Sequence, residues 1–235
     1  MSPSDMPPPG ADPRLLRGEH PTPPGPTGVD PLALRIVHVI TTLGVGGAEK
    51  HLLWLTEGQV ARGHKVDVVY LKGEGELRAA FEDQGVGVHG LPLGGGLGLL
   101  KAPTALRRLL RVLEPDVVHT HLLKADALGA LAGRGSGARA VISSKHNDER
   151  ALLRASVGLV HGVLMNRVDR IVALSEHVAG FVAEHGRVPR ERIRRVYYGV
   201  DPTLLEARRT RAEVRAELGL SDDAPVLVCV GRLAP

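Results

Sequence analysis

The chain reads as an α/β protein with a doubly wound, parallel, Rossmann-like sheet. Two observations carry this reading. Short runs rich in Val and Ile alternate with segments of helical periodicity from residue 34 almost to the end, as in RIVHVIT, KVDVVYL, DVVHTH and AVISSK. The first run, Arg35–Thr41, also leads through Gly44, Gly46 and Gly47 into a helix that opens Ala48-Glu49. Strand, glycine turn and helix in that order are the entry unit of a parallel sheet covered on both faces.

Each element follows from pattern and punctuation. Strand one is 35–41, and its helix of about 47–62 is closed by Gly63. Strand two is 65–71, a short helix follows at 76–84 up to Gly85, and strand three is 86–91. The glycine-rich stretch 94–98 reads as a loop, and Pro103 sets the start of a helix that runs to Leu113. Strand four is 116–121, with a helix at about 125–132. Strand five is 140–145, and a longer helix is expected over 150–167. Strand six is 170–174, Ser175 is placed to cap the next helix, strand seven is 193–197, and a charged helix covers 211–218. The apolar run 225–233 reads as one more strand.

Composition bounds the function. The 235 residues are 43% hydrophobic and 24% charged, enough apolar material for one sizeable core. Aromatic residues are 3%, which argues against base-stacking platforms, so no nucleic-acid partner is expected. A single cysteine, Cys229, rules out an intrachain disulfide framework. Residues 1–31 hold ten of the 17 prolines and lack the basic and apolar regions of a signal peptide. The expected organisation is a disordered leader at 1–33, a Rossmann-like domain at 34–205, and at 206–235 a linker with the first strand of an incomplete second domain. The expected localisation is cytoplasmic. The arginine run 187–195 is either a solvated edge or a peripheral contact with an anionic inner membrane face.

Ligands of open parallel sheets sit beyond the carboxyl ends of the strands. Chemically able residues converge there: Gly46 and Gly47 after strand one, His121 after strand four, His146 and Asn147 after strand five, Ser175 after strand six. Backbone amides at a glycine turn opening a helix favour an anion. His121, at the strand tip, is placed to donate to a substrate oxygen or to shuttle a proton. His119, two residues earlier, reads as a core histidine. The pair lacks a third ligand at matched spacing, so no metal is expected. Counting from Gly44, G-V-G-G-A-E ends in Glu49 where the dinucleotide fingerprint needs Gly or Ala, and strand two ends Leu71-Lys72 without the ribose-binding acid. An oxidoreductase is therefore disfavoured.

GVGGAE at 44–49, DVVHTH at 116–121, SSKHN at 143–147, IVALSEHV at 171–178, IRRVYYGVD at 193–201 and VLVCVGRL at 226–233 together resemble the N-terminal half of family 4 glycosyltransferases, retaining enzymes of the two-domain GT-B fold. The resemblance implies a nucleotide-diphosphate sugar as donor substrate, with no cofactor. Gly46, Gly47 and Arg232 would approach the donor diphosphate, His121 would lie near the transferred sugar, and His146 with Asn147 would line the acceptor cleft. The acceptor, on this reading, is lipid-linked or a polysaccharide. The lysine and E-x7-E segment that follow Arg232 in the family do not occur before Pro235. The chain alone is therefore expected to be catalytically incomplete, as a fragment or one half of a split enzyme with a separate C-terminal partner. A non-catalytic acceptor-binding domain is the alternative, and a sugar-nucleotide epimerase is a more distant one.

Overall fold

The computed structural model describes residues 33–91, 97–199 and 207–229. They fall into two units, one ending at Tyr197 and one beginning at Tyr198. The leader, Gly94–Gly96 of the glycine loop and Arg232 lie outside the described residues.

The first unit is a seven-stranded sheet in the order β3-β2-β1-β4-β5-β6-β7, every pair parallel. The strands are β1 (Arg35–Thr42), β2 (Lys65–Lys72), β3 (Gly87–Gly90), β4 (Val117–His121), β5 (Ala140–Lys145), β6 (Arg170–Ala173) and β7 (Ile193–Arg195). The helices are α1 (Gly47–Val60), α2 (Arg78–Glu82), α3 (Leu97–Leu113), α4 (Leu123–Ala132), α5 (Ala155–Met165) and α6 (Glu176–Glu184). The chain reverses direction between β1 and β4, so their carboxyl ends flank the crevice where such sheets bind ligands.

Alternation along β1 sends Val37 and Val39 to one face and Ile36, His38 and Ile40 to the other. The first face joins a core with Leu106 and Leu110 of α3, Leu128 of α4, Met165 of α5 and Val178 of α6. The second face meets α1 and α2, where Ile40 packs with Leu52, Val68 and Phe81. Helix α1 buries Glu49, Leu52 and Thr56, so two of the three residues on its inner stripe are polar.

The structure differs from the sequence reading in three places. Helix α3 begins at Leu97 and carries Pro103 inside it, because the missing Pro N–H costs one ladder bond in a helix otherwise held by packing. The helix expected over 150–167 is split: Arg150–Leu153 form a 3-10 turn, and Arg154 is extended at φ −78° and ψ 116° before α5 starts. Residues 225–229, the described part of the run expected as a last strand, are exposed and form no strand among the described residues. Ser175 caps α6 as read from sequence, its Oγ accepting from Val178 N at 3.1 Å. In the second unit, α7 (Arg211–Glu217) opens on a reciprocal capping box between Thr210 and Glu213.

The large-core side of the sheet also holds a fully buried ion pair. Lys145 Nζ, at the end of β5, donates to Asp126 of α4 and lies 2.9 Å from His161 Nε2 of α5. The other Asp126 oxygen accepts from Thr120 Oγ1 at 2.5 Å and Ser143 Oγ at 2.7 Å. His161 Nδ1 donates to Gly186 O at 2.7 Å. Every polar atom of the pair is satisfied, which makes removal of one partner costly. Asp126→Ala is expected to lose about 3–5 kcal/mol in urea unfolding. The double substitution Asp126→Leu with Lys145→Met is expected to lose much less.

Candidate functional site

The carboxyl ends of β1, β4 and β5 surround a cavity of about 460 Å³ lined by Thr41, Leu122, Leu123, Lys124 and residues 147–151. The hydroxyl of Thr41 faces burial without a hydrogen-bond partner. Leu122 holds a left-handed backbone, φ 73° and ψ 152°, as the chain turns from β4 into α4. A branched side chain there costs on the order of 1–3 kcal/mol, and such strain gathers at functional sites. The Glu149 carboxylate accepts from Leu123 N at 2.8 Å at the start of α4, while burial pushes its pKa up. Asn147 is exposed at the rim, beside Asp148, which pairs with His177 at 2.6 Å.

Behind this rim stands a row of imidazoles on the α1 face of the sheet. His38 and His119 are register neighbours across β1 and β4, and His121 lies one pleat further on. His38 Nε2 meets Gln59 Oε1 of α1 at 2.8 Å, His38 Nδ1 meets His121 Nε2 at 3.0 Å, and His121 Nδ1 meets His146 Nε2 at 2.9 Å. His119 stacks on His121 with centroids 4.3 Å apart and bonds Ser144 Oγ at 2.7 Å. His51 of α1 lies edge-on to His146 at 6.0 Å. Ligand-capable nitrogens of His38, His119 and His121 come within 4.8 Å of one another. In the 3.0 Å contact between His38 and His121, one nitrogen carries the shared proton and so offers no lone pair to an ion.

All five imidazoles are held toward the neutral form. Burial is the main cause in each case and lowers His38 and His146 to about 4. It lowers His51 as well, and His119 and His121 fall further because neighbouring imidazoles add to it.

Sequence reading brings His121, His146, Asn147 and the glycine turn to one edge, and the structure groups them there. It differs on access. His121 is fully buried with both ring nitrogens engaged, one by His38 of the neighbouring β1 and one by His146 after β5; His146 is the member nearer the surface. His119 retains partial exposure. The glycine turn is also not an open anion cradle. A Cβ on Gly46 would meet Glu49 Oε2 at 2.4 Å, and Val45 N donates to Glu76 Oε2 at 3.2 Å. Gly47 has open space around its Cβ position. Thr42 Oγ1 donates to Glu49 Oε1 at 2.6 Å, so the protein's own carboxylate occupies the polarity expected to draw a phosphate. Sequence reasoning missed Gln59, although a polar residue continuing the buried stripe of α1 is a visible signal.

This fold, with its crevice between β1 and β4, is that of the N-terminal half of a GT-B glycosyltransferase. The chain belongs to Glycosyltransferase Family 4, whose profile matches residues 45–204. Among solved structures it is similar to Anabaena Alr3699/HepE in complex with UDP and glucose, at a TM-score of 0.65 and 18% identity over 79% of this chain and 50% of that one. A glycosyltransferase from Rickettsia africae ESF-5 gives 0.64 and 14%, over 81% and 51%. Sucrose-phosphate synthase from Thermosynechococcus elongatus gives 0.59 and 16%, over 81% and 54%. The chain thus spans about half the length of the solved structures it matches. No curated protein matches it.

The imidazoles make stability pH-dependent in a defined direction. Groups near 6.5 when unfolded and near 4 when folded take up protons only on unfolding between those values. Stability is therefore full above pH 6.5 and falls as pH drops toward 4, by up to about 3 kcal/mol for each such group. Urea midpoints are expected to fall from pH 7.5 to pH 5, with a shallower slope in His146→Gln.

Proposed function

We propose that this chain is the acceptor-side half of a retaining glycosyltransferase that takes a nucleotide-diphosphate sugar. The observation that carries the reading is the cavity at the ends of β1, β4 and β5, bordered by Thr41, Lys124, Asn147 and Arg150, in a family 4 chain. Hydroxyl, amide and cationic groups around a pocket of that size suit a polyhydroxylated acceptor. His146 meets the reacting sugar, His121 positions it from beneath, and Asn147 lines the cleft. On this reading Gly46 and Gly47 offer backbone to the donor diphosphate, in competition with the Glu49 carboxylate that now lies against the turn. No cofactor or metal takes part in this scheme. A donor-binding half supplies the remaining contacts, and this half alone does not turn over. In a transfer assay with UDP-sugars and lipid-linked or polysaccharide acceptors, turnover is expected only with a donor-binding half present. The product anomer keeps the donor's configuration, and His146→Ala lowers the rate by about 10² or more. Undiminished turnover in His146→Ala removes it from the site. Acceptor binding without turnover, whatever half is supplied, leaves a binding domain.

A second reading concerns a membrane contact. No helix among the described residues is long and apolar enough to cross a membrane. Of the arginine run, Arg190 and Arg195 pair with Glu176, and Arg192 bonds Asn166 and Val168, so these side chains hold local structure. The neighbouring α5 differs. It seats on residues 185–187 through Gly158 and Gly162, and it leaves Leu159, Val160 and Val163, with Leu153 before it, more than half exposed. Exposed Arg154 and Arg167 lie just beyond the two ends of α5 in sequence, and exposed Arg187 lies where Gly162 seats. We propose that this apolar face rests on an anionic lipid surface at the inner membrane face, where each cation adds about 1 kcal/mol. Sedimentation with phosphatidylglycerol vesicles is expected to carry the protein down at low salt. Phosphatidylcholine vesicles, high salt and the Leu159→Glu/Val163→Glu variant should leave it in solution; equal sedimentation with both lipids would count against the idea.

A further inference from the structure

A second cavity, of about 310 Å³, is lined by Leu123 and Ala127 of α4 and by Val157, Val160 and Leu164 of α5. His161 also lines it, but both its nitrogens are engaged, by Lys145 Nζ and by Gly186 O, so it offers ring surface and no hydrogen bond. Leu123 lines the polar cavity at the ends of β1, β4 and β5 as well, so the two cavities share this residue as a wall. Val160 is 58% exposed and belongs to the apolar face of α5. In the polar cavity the carboxylates are committed: Glu149 accepts from Leu123 N, and His177 donates to Asp148. Its two cations, Lys124 and Arg150, are exposed and pair with no carboxylate among the described residues.

We propose that the two cavities form one site for a phosphorylated lipid. Its hydrocarbon tail fills the space between α4 and α5, its phosphate lies against Lys124 and Arg150, and the sugar it carries reaches Thr41 and Asn147. The proposal rests on the polar cavity being the acceptor cleft and deepens that reading, since it selects a lipid-linked acceptor over a polysaccharide. A polysaccharide is hydroxylated throughout, and its hydroxyls would go unpaired between aliphatic walls. A neutral lipid would leave both cations without a partner. The tail enters by an apolar route, because Val160 serves both the cavity and the exposed face of α5. The volume lies at the lower end of the range for small-molecule pockets, which suits one segment of a tail and not a folded lipid. The two halves of the site hold the ligand by different forces. Burial of methylenes is insensitive to salt, whereas the contact between phosphate and exposed cations is screened by it.

The test is calorimetric titration of the whole chain with monomeric n-alkyl phosphates of two to eight carbons, with inorganic phosphate and with 1-octanol, in the absence of any membrane. Affinity is expected to rise along the series by up to about fourfold per methylene, and by about tenfold or more from butyl to octyl phosphate. Ala127→Leu fills the apolar cavity and should abolish the dependence on tail length. Lys124→Gln with Arg150→Gln should weaken octyl phosphate by about tenfold and leave 1-octanol unmoved. Equal affinity across the series overturns the proposal, as does 1-octanol binding as tightly as octyl phosphate, or octyl phosphate binding unchanged in either variant. If Ala127→Leu does not fold, Val160→Glu at its exposed position replaces it and should weaken octyl phosphate by about tenfold. Octyl phosphate bound as expected, but no sugar transfer to a lipid-linked acceptor with a donor-binding half present, would count against the transfer reading and leave the lipid site standing. Transfer to a polysaccharide with no dependence of binding on tail length would do the reverse.

Discussion

The buried pair of Asp126 and Lys145 is the constraint on which the rest of the site depends. Both charges are out of water, so each must keep the other, and Thr120, Ser143 and His161 occupy the remaining hydrogen-bonding positions. The network ties the last residue of β5 to the first turn of α4 and to the middle of α5. His146 is the next residue in the chain. Its place beside His121 is therefore inherited from an ion pair at the base of the loop that carries it. The strained turn at Leu122 is held between the same elements.

The two faces of the sheet divide the labour. On one, aliphatic side chains pack densely and the ion pair locks three elements together. On the other, α1 presents polar residues to the sheet, and imidazoles fill the space that Leu or Ile would take elsewhere. Such an interior holds its shape only if every polar group has a partner, which makes it more specific and more easily disturbed than an apolar one.

The sheet was legible in the sequence because Val and Ile runs in strands buried on both faces leave a strong signal, and glycines mark most of the turns. The strand-tip residues were legible for the same reason: once the strands are placed, His121 and His146 follow. Depth was not legible. His121 is enclosed by His38 of β1 and His146 after β5, both distant in sequence, and His38 reads as an ordinary strand residue until Gln59 arrives from 21 positions away. The break at Arg150–Arg154 was hidden because its residues favour helix singly. The carboxylates at the glycine turn escaped notice because motif reading follows backbone, while Glu49 acts through a side chain folded back on the turn.

The register of β1 carries a consequence for synthesis. Its partner on one side, β2, begins some twenty residues after β1 ends, but on the other side Ile36 waits for Val117 and Ile40 for His121. At about 5–20 residues per second, the nascent chain spends several seconds with the central strand open along one edge. The imidazole row cannot form until that gap closes, since its members lie on both sides of it. Its ordered state is thus a late event, and its appearance marks the moment at which the middle of the sheet is complete.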